Sequence, residues 1–317
     1  MNTLTTVIPV FNGETYIAAT LASLAEQTIK PERVIVLDNR STDATEKIVR
    51  QFGPVKCEWI QNESNLGLFG NSNRALAFAE QTTFLHLLHA DDLLHPEFYK
   101  RSMAALKEAP GRALSFCIPE FIDGNSDPLG RSPLSPPPAM RVISSSQFIS
   151  ERSELRPIYF VGVLLKTDGR PSPCNFRTDL PQIADHVFWA EWARHCSLIV
   201  ELPEQLAKYR FYTGSETSRN LQQLQSWVLD EWRAMDSIAQ MLDQRGLRRW
   251  IHVQKLKTLF AARSYVKMKQ VRNRSPEFAA DIRRAACHIS KLWRYLLAVA
   301  VVELRDFISL SSRMRKP

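Results

Sequence analysis

Two adjacent carboxylates, Asp91 and Asp92, close the apolar run that starts at Thr83, with His86 and His89 set among its leucines. A carboxylate at the end of a strand can hold a divalent cation, because hard ions take oxygen ligands and need few from the protein when a phosphate supplies others. Thr83 to Leu88 reads as a strand and Pro96 as the first residue of a helix, which puts Asp91 in a strand-to-helix turn. In open α/β sheets that edge is where ligands bind. The same pair could also do no more than cap the helix and face its positive end, so its meaning depends on the elements that position it.

Those elements alternate. Leu4 to Val10 is an apolar, β-branched run ended by Asn12-Gly13, and from Tyr16 to Gln27 the residues Ile17, Leu21 and Leu24 recur at helical spacing. Arg33 to Leu37 is a second strand that closes at Asp38. Asp43 and Glu46 stand as a capping-box variant before a helix to Phe52. Cys57 to Gln61 is a third strand, Asn62 to Gly70 a loop, and Asn71 to Glu80 an Ala-rich helix leading to the strand that ends at His89. Strands joined by helices at this spacing predict a largely parallel sheet. Right-handed connections then bring Val10, Asp38 and Asp91 to one edge, around a crevice lined by Pro9 to Asn12, Asp38 to Ser41 and His89 to Asp92. A nucleotide would fit that shape. A single glycine follows the first strand and no Gly-Lys-Ser/Thr loop occurs, which argues against dehydrogenases and P-loop enzymes.

Beyond this, Ala113 to Ile118 reads as another strand, and Asp127 to Pro138 holds five prolines, as an exposed linker or a lid would. Leu180 to Arg194 reads as a helix with Asp185 near its start. From about Leu221 the chain is helical nearly throughout, so two parts are expected, 1–218 and 219–317, meeting near Ser218.

Four segments, in order and spacing, resemble the inverting glycosyltransferases of family 2. Thr5 to Gly13 looks like the family's first strand with its Pro-x-aromatic-Asn turn, and Val34 to Asp43 like the second, with Asp38-Asn39 and Ser41. Asn65-Leu66-Gly67 with Asn73 is similar to the loop and helix before the metal motif. Leu88-His89-Ala90-Asp91-Asp92 stands where the family has Leu-Asp-x-Asp-Asp. The resemblance implies a GT-A fold, with a mostly parallel central sheet flanked by helices, here followed by a helical C-terminal extension. It implies transfer of a sugar from a UDP- or dTDP-sugar to a glycan or lipid-linked glycan acceptor in surface polysaccharide assembly.

On this resemblance Asp91, joined by His89, would hold Mg²⁺ or Mn²⁺, whose charge offsets that developing on the leaving diphosphate. The nucleotide sugar would be bound by Pro9, Phe11, Asn12, Asp38, Asn39, Asn65, Gly67, Asn73, Ala90, Asp91, Arg210 and Tyr212. Inversion needs a general base for the acceptor hydroxyl, and Asp185, in Ile183 to Trp189, occupies the family's place for it. The chain departs from the pattern at His89, which replaces an aspartate, at Ala184, which replaces a glutamate, and at Tyr212, where relatives have histidine. A catalytically silent nucleotide-sugar-binding partner subunit is the alternative these departures leave open. His86, His95, His186 and His195 show no ligand spacing. Phe188, Trp189 and Trp192 share one helical face, as core residues or, for Trp189, as a surface on which an acceptor sugar stacks.

The composition, 44% hydrophobic and 23% charged over 317 residues, supports a large core. The five scattered cysteines suggest neither a disulfide framework nor a zinc site, and with no secretory signal in view a cytoplasmic setting is expected. The net charge of +8 is unevenly placed: residues 245–317 hold 18 Lys or Arg against four acids, a net of +14, and residues 1–244 a net of −6. Leu292 to Leu304 is strongly apolar, but its uncharged part is too short to span a bilayer. With Lys291, Arg294, Arg313, Arg315 and Lys316 around it, it reads either as an amphipathic helix on an anionic membrane, which would put the protein on the inner face of the membrane, or as a helix packed on the catalytic part. No nucleic-acid-binding module is recognisable in this tail.

Overall fold

The computed structural model describes residues 3–130, 132, 134–212, 224–273 and 275–314. Ser218 and Leu221, where the sequence places the junction and the start of the helical part, lie outside the described residues, as do Arg315 and Lys316. The chain forms two compact units, one of Met1–Phe148 with Pro157–Ser215, the other of Ile149–Arg156 with Glu216–Pro317.

In the first unit, strands β1 (Leu4–Val10), β2 (Arg33–Asp38), β3 (Cys57–Gln61) and β4 (Phe84–Leu87) run parallel in the order β3-β2-β1-β4. Every residue of β1 is buried, the expected state of a central parallel strand covered on both faces by helices. The register aligns Val10 with Asp38 and Asp38 with Gln61, whereas β1 and β4 part after Val7 pairs with Leu87. Pro9, which has no N–H to give, lies in the part of β1 beyond that last pair. Helices α1 (Ile17–Ala25), α2 (Thr45–Gln51) and α3 (Gly67–Leu76) make the connections. The capping pair before α2 is half made: Asp43 Oδ1 accepts from the Thr45 amide at 3.0 Å, while Glu46 turns to Arg50 at 2.8 Å.

The sheet continues through β9 (Val163–Lys166), β6 (Ala113–Cys117), β10 (Leu198–Leu202) and β8 (Arg141–Val142), and β9 is antiparallel to both β4 and β6. Asp91 does not lead straight into a helix. After it comes β5 (Leu93–Leu94), which pairs with β11 (Ala207–Arg210) in a second sheet completed by β7 (Glu120–Ile122). Pro96 precedes α4 (Phe98–Leu106) by two residues instead of opening it. Helix α3 starts four residues earlier than the sequence suggests and ends in a 3₁₀ turn, Ala77–Gln81. Two further helices are α5 (Ser145–Ser153) and α6 (Ala184–Ala193).

The second unit is built from α7 (Leu224–Gln240), α8 (Gly246–Val271), α9 (Pro276–Ser290) and α10 (Leu292–Met314). Leu256, Phe260 and Ala261 of α8 are buried, and Trp232 of α7 packs on Phe260 with ring centroids 5.6 Å apart. Glu231 is buried among them and paired with Arg263 at 2.6 Å and Lys267 at 2.7 Å, as a carboxylate taken out of water must be. Among the described residues no single helix is long and apolar enough to cross a membrane.

Candidate functional site

The turn after β4 brings His89, Asp91 and Asp92 together, each offering a ligand atom within 4.8 Å of the others. Two polar atoms of this turn, His89 Nε2 and Asp92 Oδ2, are buried without a hydrogen-bond partner. Orphaned buried acceptors are costly and call for a ligand. Burial, with the Asp91 charge beside it, pushes the Asp92 carboxyl well above the ordinary carboxylate range, against the opposing pull of Arg210. Burial pushes the His89 imidazole down, against the opposing Asp91 charge, which favours the neutral form that can coordinate a cation. A site of one imidazole and two carboxylates, with unused lone pairs, fits a divalent ion.

The turn is held from three sides. Thr20 of α1 donates its hydroxyl to the carbonyls of Ala90 at 2.9 Å and Asp92 at 3.0 Å. The Arg210 amide donates to Asp92 Oδ1 at 2.8 Å, and its guanidinium donates to the Asp91 carbonyl at 2.7 Å, the Asp123 carbonyl at 2.9 Å and Ser126 Oγ at 2.9 Å. That guanidinium also stacks 4.4 Å from the Tyr16 ring centroid, and Tyr16 meets the edge of Tyr212 at 4.9 Å. Underneath, His89 stacks on Phe160 at 4.5 Å.

The other lip of the crevice is made by the turns after β1 and β2. Asn12 takes a left-handed conformation (φ 52°), which asparagine tolerates, and is tied to the β2 turn through its amide to Ser41 Oγ and its side-chain oxygen to the Thr42 amide, both at 2.8 Å. A Cβ at the next residue, Gly13, would lie 2.6 Å from Val10 Cγ2, so any larger residue there would have to displace the Val10 side chain. Phe11 is 46% exposed at this edge. Asp38 is buried and accepts from the Ser41 amide and from Gln61 Nε2, the latter at 2.8 Å.

Asn39 is fully occupied inside the protein. Its oxygen accepts from Asn62 Nδ2 and the Leu66 amide and its nitrogen donates to Asn65 Oδ1, all at 2.8 Å, with a further bond to the Gly67 carbonyl. It therefore shapes the loop that carries Asn65 and Gly67 (φ 71°) instead of reaching outward. Asn73 is likewise clamped to the Phe176 backbone, donating to its carbonyl at 2.9 Å and accepting from its amide at 2.7 Å.

Asp185 lies in the first turn of α6, half-buried. Burial and the Asp185 charge together push the Tyr159 hydroxyl up to about 12, so the carboxylate sits beside a tyrosine whose ring packs on Tyr209, the neighbour of Arg210, at 5.1 Å. The α6 aromatics are core: Trp189 is 1% exposed and Trp192 fully buried, which rules out sugar stacking on Trp189. Phe160 joins them, 5.2 Å from Trp189, so one aromatic stack supports both His89 and the helix that carries Asp185.

Several positioning residues escape sequence reading. Thr20 lies 70 positions from Ala90, Phe160 lies 71 from His89, and Tyr16 reaches the turn through Arg210, 194 positions on; none carries a local motif, and only the fold brings them in. Gln61 could have been suspected from the polar end of its strand, whereas Ser41 already lies in the crevice segment the sequence marks.

Comparison with known proteins gives a consistent setting. Residues 5–159 match the family model described as glycosyl transferase family 2. An uncharacterized glycosyltransferase of Haemophilus influenzae is 24% identical over 222 residues, covering 67% of this chain and 66% of that protein. The Escherichia coli UDP-Glc:α-D-GlcNAc-diphosphoundecaprenol β-1,3-glucosyltransferase WfgD is 31% identical over 87 residues, 27% of this chain and 34% of that one. The matches thus span about a third to two thirds of the length of these curated relatives. Among solved structures, Staphylococcus aureus TarS 1–349 in complex with UDP-GlcNAc shares the fold, with a TM-score of 0.58 at 18% identity over 95% of this chain and 92% of that one.

Proposed function

The chain belongs to glycosyl transferase family 2 and has the GT-A fold, and from that premise we propose that it is a metal-dependent, inverting enzyme of glycan assembly. It moves a sugar from a UDP- or dTDP-sugar to a hydroxyl of a glycan or lipid-linked glycan. The observation that carries this reading is the convergence of His89, Asp91 and Asp92 at the sheet edge, with two of their atoms buried and unpartnered. Asp91, with His89 and Asp92 Oδ2, would hold Mg²⁺ or Mn²⁺. When bound, such an ion supplies charge neutralisation to the leaving diphosphate.

The protein's own residues do the rest. Phe11, Asn12 and the Asp38 turn bound the nucleotide pocket, and Arg210 Nη2, buried without a partner beside the turn, supports a role at the diphosphate. Asp185 takes the proton of the acceptor hydroxyl as its oxygen attacks the anomeric carbon. The bond from that carbon to the diphosphate breaks, and its electron pair leaves with the nucleotide, so the anomeric configuration inverts. The UDP-GlcNAc bound by TarS and the UDP-glucose used by WfgD support a uridine donor, and WfgD's diphosphoundecaprenol acceptor supports a lipid-linked one. A second reading, a silent nucleotide-sugar-binding subunit, is favoured by His89 and Ala184, which stand where the family's carboxylates are expected.

Transfer and hydrolysis of UDP-glucose and UDP-GlcNAc with Mn²⁺ separate the two. The enzyme reading expects turnover by the wild type and a loss of at least about 100-fold in Asp185→Asn with donor binding kept. Full turnover in Asp185→Asn would remove the assigned base, and donor binding without turnover in the wild type would leave the silent subunit.

A further inference from the structure

We infer that α10 docks the second unit on an anionic lipid surface. The helix is apolar on two faces. One is consumed inside the unit, where Tyr295, Ala298 and Val302 are buried, Tyr295 meets Tyr265 of α8 at a centroid distance of 6.1 Å, and Glu303 pairs with Lys269 at 2.8 Å. The other carries Leu292, Trp293, Leu296, Leu297, Val301 and Leu304, each 52–60% exposed. Positions 293, 297, 301 and 304, with 296 beside them, recur at helical spacing, so these side chains form one continuous stripe along three turns.

Charge decides what can cover that stripe. Residues 245–317 carry 18 basic and four acidic side chains, so a second copy of this chain would set one strongly basic region against another. An anionic bilayer would bring the opposite sign, and its headgroup boundary accepts an apolar face while leaving the basic residues in water. The start of the helix suits that depth. Trp293 is an interfacial side chain, Arg294 stacks its guanidinium 4.3 Å from the Trp293 ring centroid, and Lys291 stands exposed at the bend. There the chain bends by 117° from α9 to α10, so α10 can lie in the plane of a surface while α9 turns away from it. The surface does not depend on which sugar the first unit moves, and the transfer assays above can fail without touching it.

Flotation of the full chain with vesicles of phosphatidylcholine alone, or mixed with phosphatidylglycerol, tests the inference. Binding is expected to the mixed vesicles only, weakened at high salt, and reduced at least about tenfold in Leu296→Glu/Val301→Glu, whose sites are exposed enough to spare the fold. Circular dichroism checks that fold, and the single variant Leu297→Glu repeats the test should the double variant unfold. Wild-type protein that stays with neither vesicle, or folded Glu variants that float as well as wild type, would overturn it. So would a wild-type dimer that Leu297→Glu splits, which would give the stripe to a second copy.

Discussion

Arg210 does more at the site than a diphosphate contact would require. Its guanidinium bridges the Asp91 carbonyl to the 123–126 loop, its amide fixes Asp92 Oδ1, and its charge opposes the burial that raises the Asp92 carboxyl. Arg210→Met keeps the bulk but strands the part-buried carbonyls of Asp91 and Asp123, so it should cost about 2–6 kcal/mol in stability, at roughly 1–3 kcal/mol for each unsatisfied group. Thermal denaturation checks this, and Arg210→Lys should rescue little, because one ammonium cannot reproduce the planar fork. Loss of stability below about 0.5 kcal/mol in Arg210→Met would contradict the clamp. The sequence singles out Asp91 because it ends an apolar strand, and leaves it two uses, a helix cap or a cation ligand. The roles of Asn39 and Asn73 were not legible, because an amide that binds a ligand and one that ties a loop look alike until their partners are known.

The elements of the first ninety residues could be read because β1, β2 and β4 are short, mostly apolar and buried runs set between helical segments, so local and tertiary preferences agree. The three strand ends meet where the sequence puts them, since a parallel register leaves no other edge. Strand β9 was missed because four buried residues, Val163 to Lys166, give no alternation, and its antiparallel place between β4 and β6 depends on a long connection. The two-residue strand β5 was missed for a different reason. It exists only through its pairing with β11, more than a hundred residues away, and that pairing is what sets Arg210 over the Asp91 turn.

At the scale of the molecule, the core beneath the site stores a pH dependence. His86 is buried between the Tyr99 hydroxyl at 2.9 Å and the Val161 carbonyl at 3.2 Å, and burial pushes its imidazole down to about 3. The unfolded chain protonates this group below about 6.5 while the folded one does not, so stability falls as the pH drops from there towards 3. Wild type should lose up to about 1.4 kcal/mol per pH unit more than His86→Phe between pH 6 and 4, measured by denaturant midpoints. Parallel curves would contradict it. The central claim is that the turn after β4 binds a divalent ion on which the donor depends. Calorimetric titration of Mn²⁺ into the protein with UDP present tests it most directly, for wild type and Asp91→Ala. The prediction is one bound ion, tighter UDP binding in its presence, and at least about a 100-fold loss of Mn²⁺ affinity in the variant, since even groups behind the ligands cost 10- to 100-fold. Equal Mn²⁺ affinity in both proteins, or UDP binding indifferent to the ion, would contradict it.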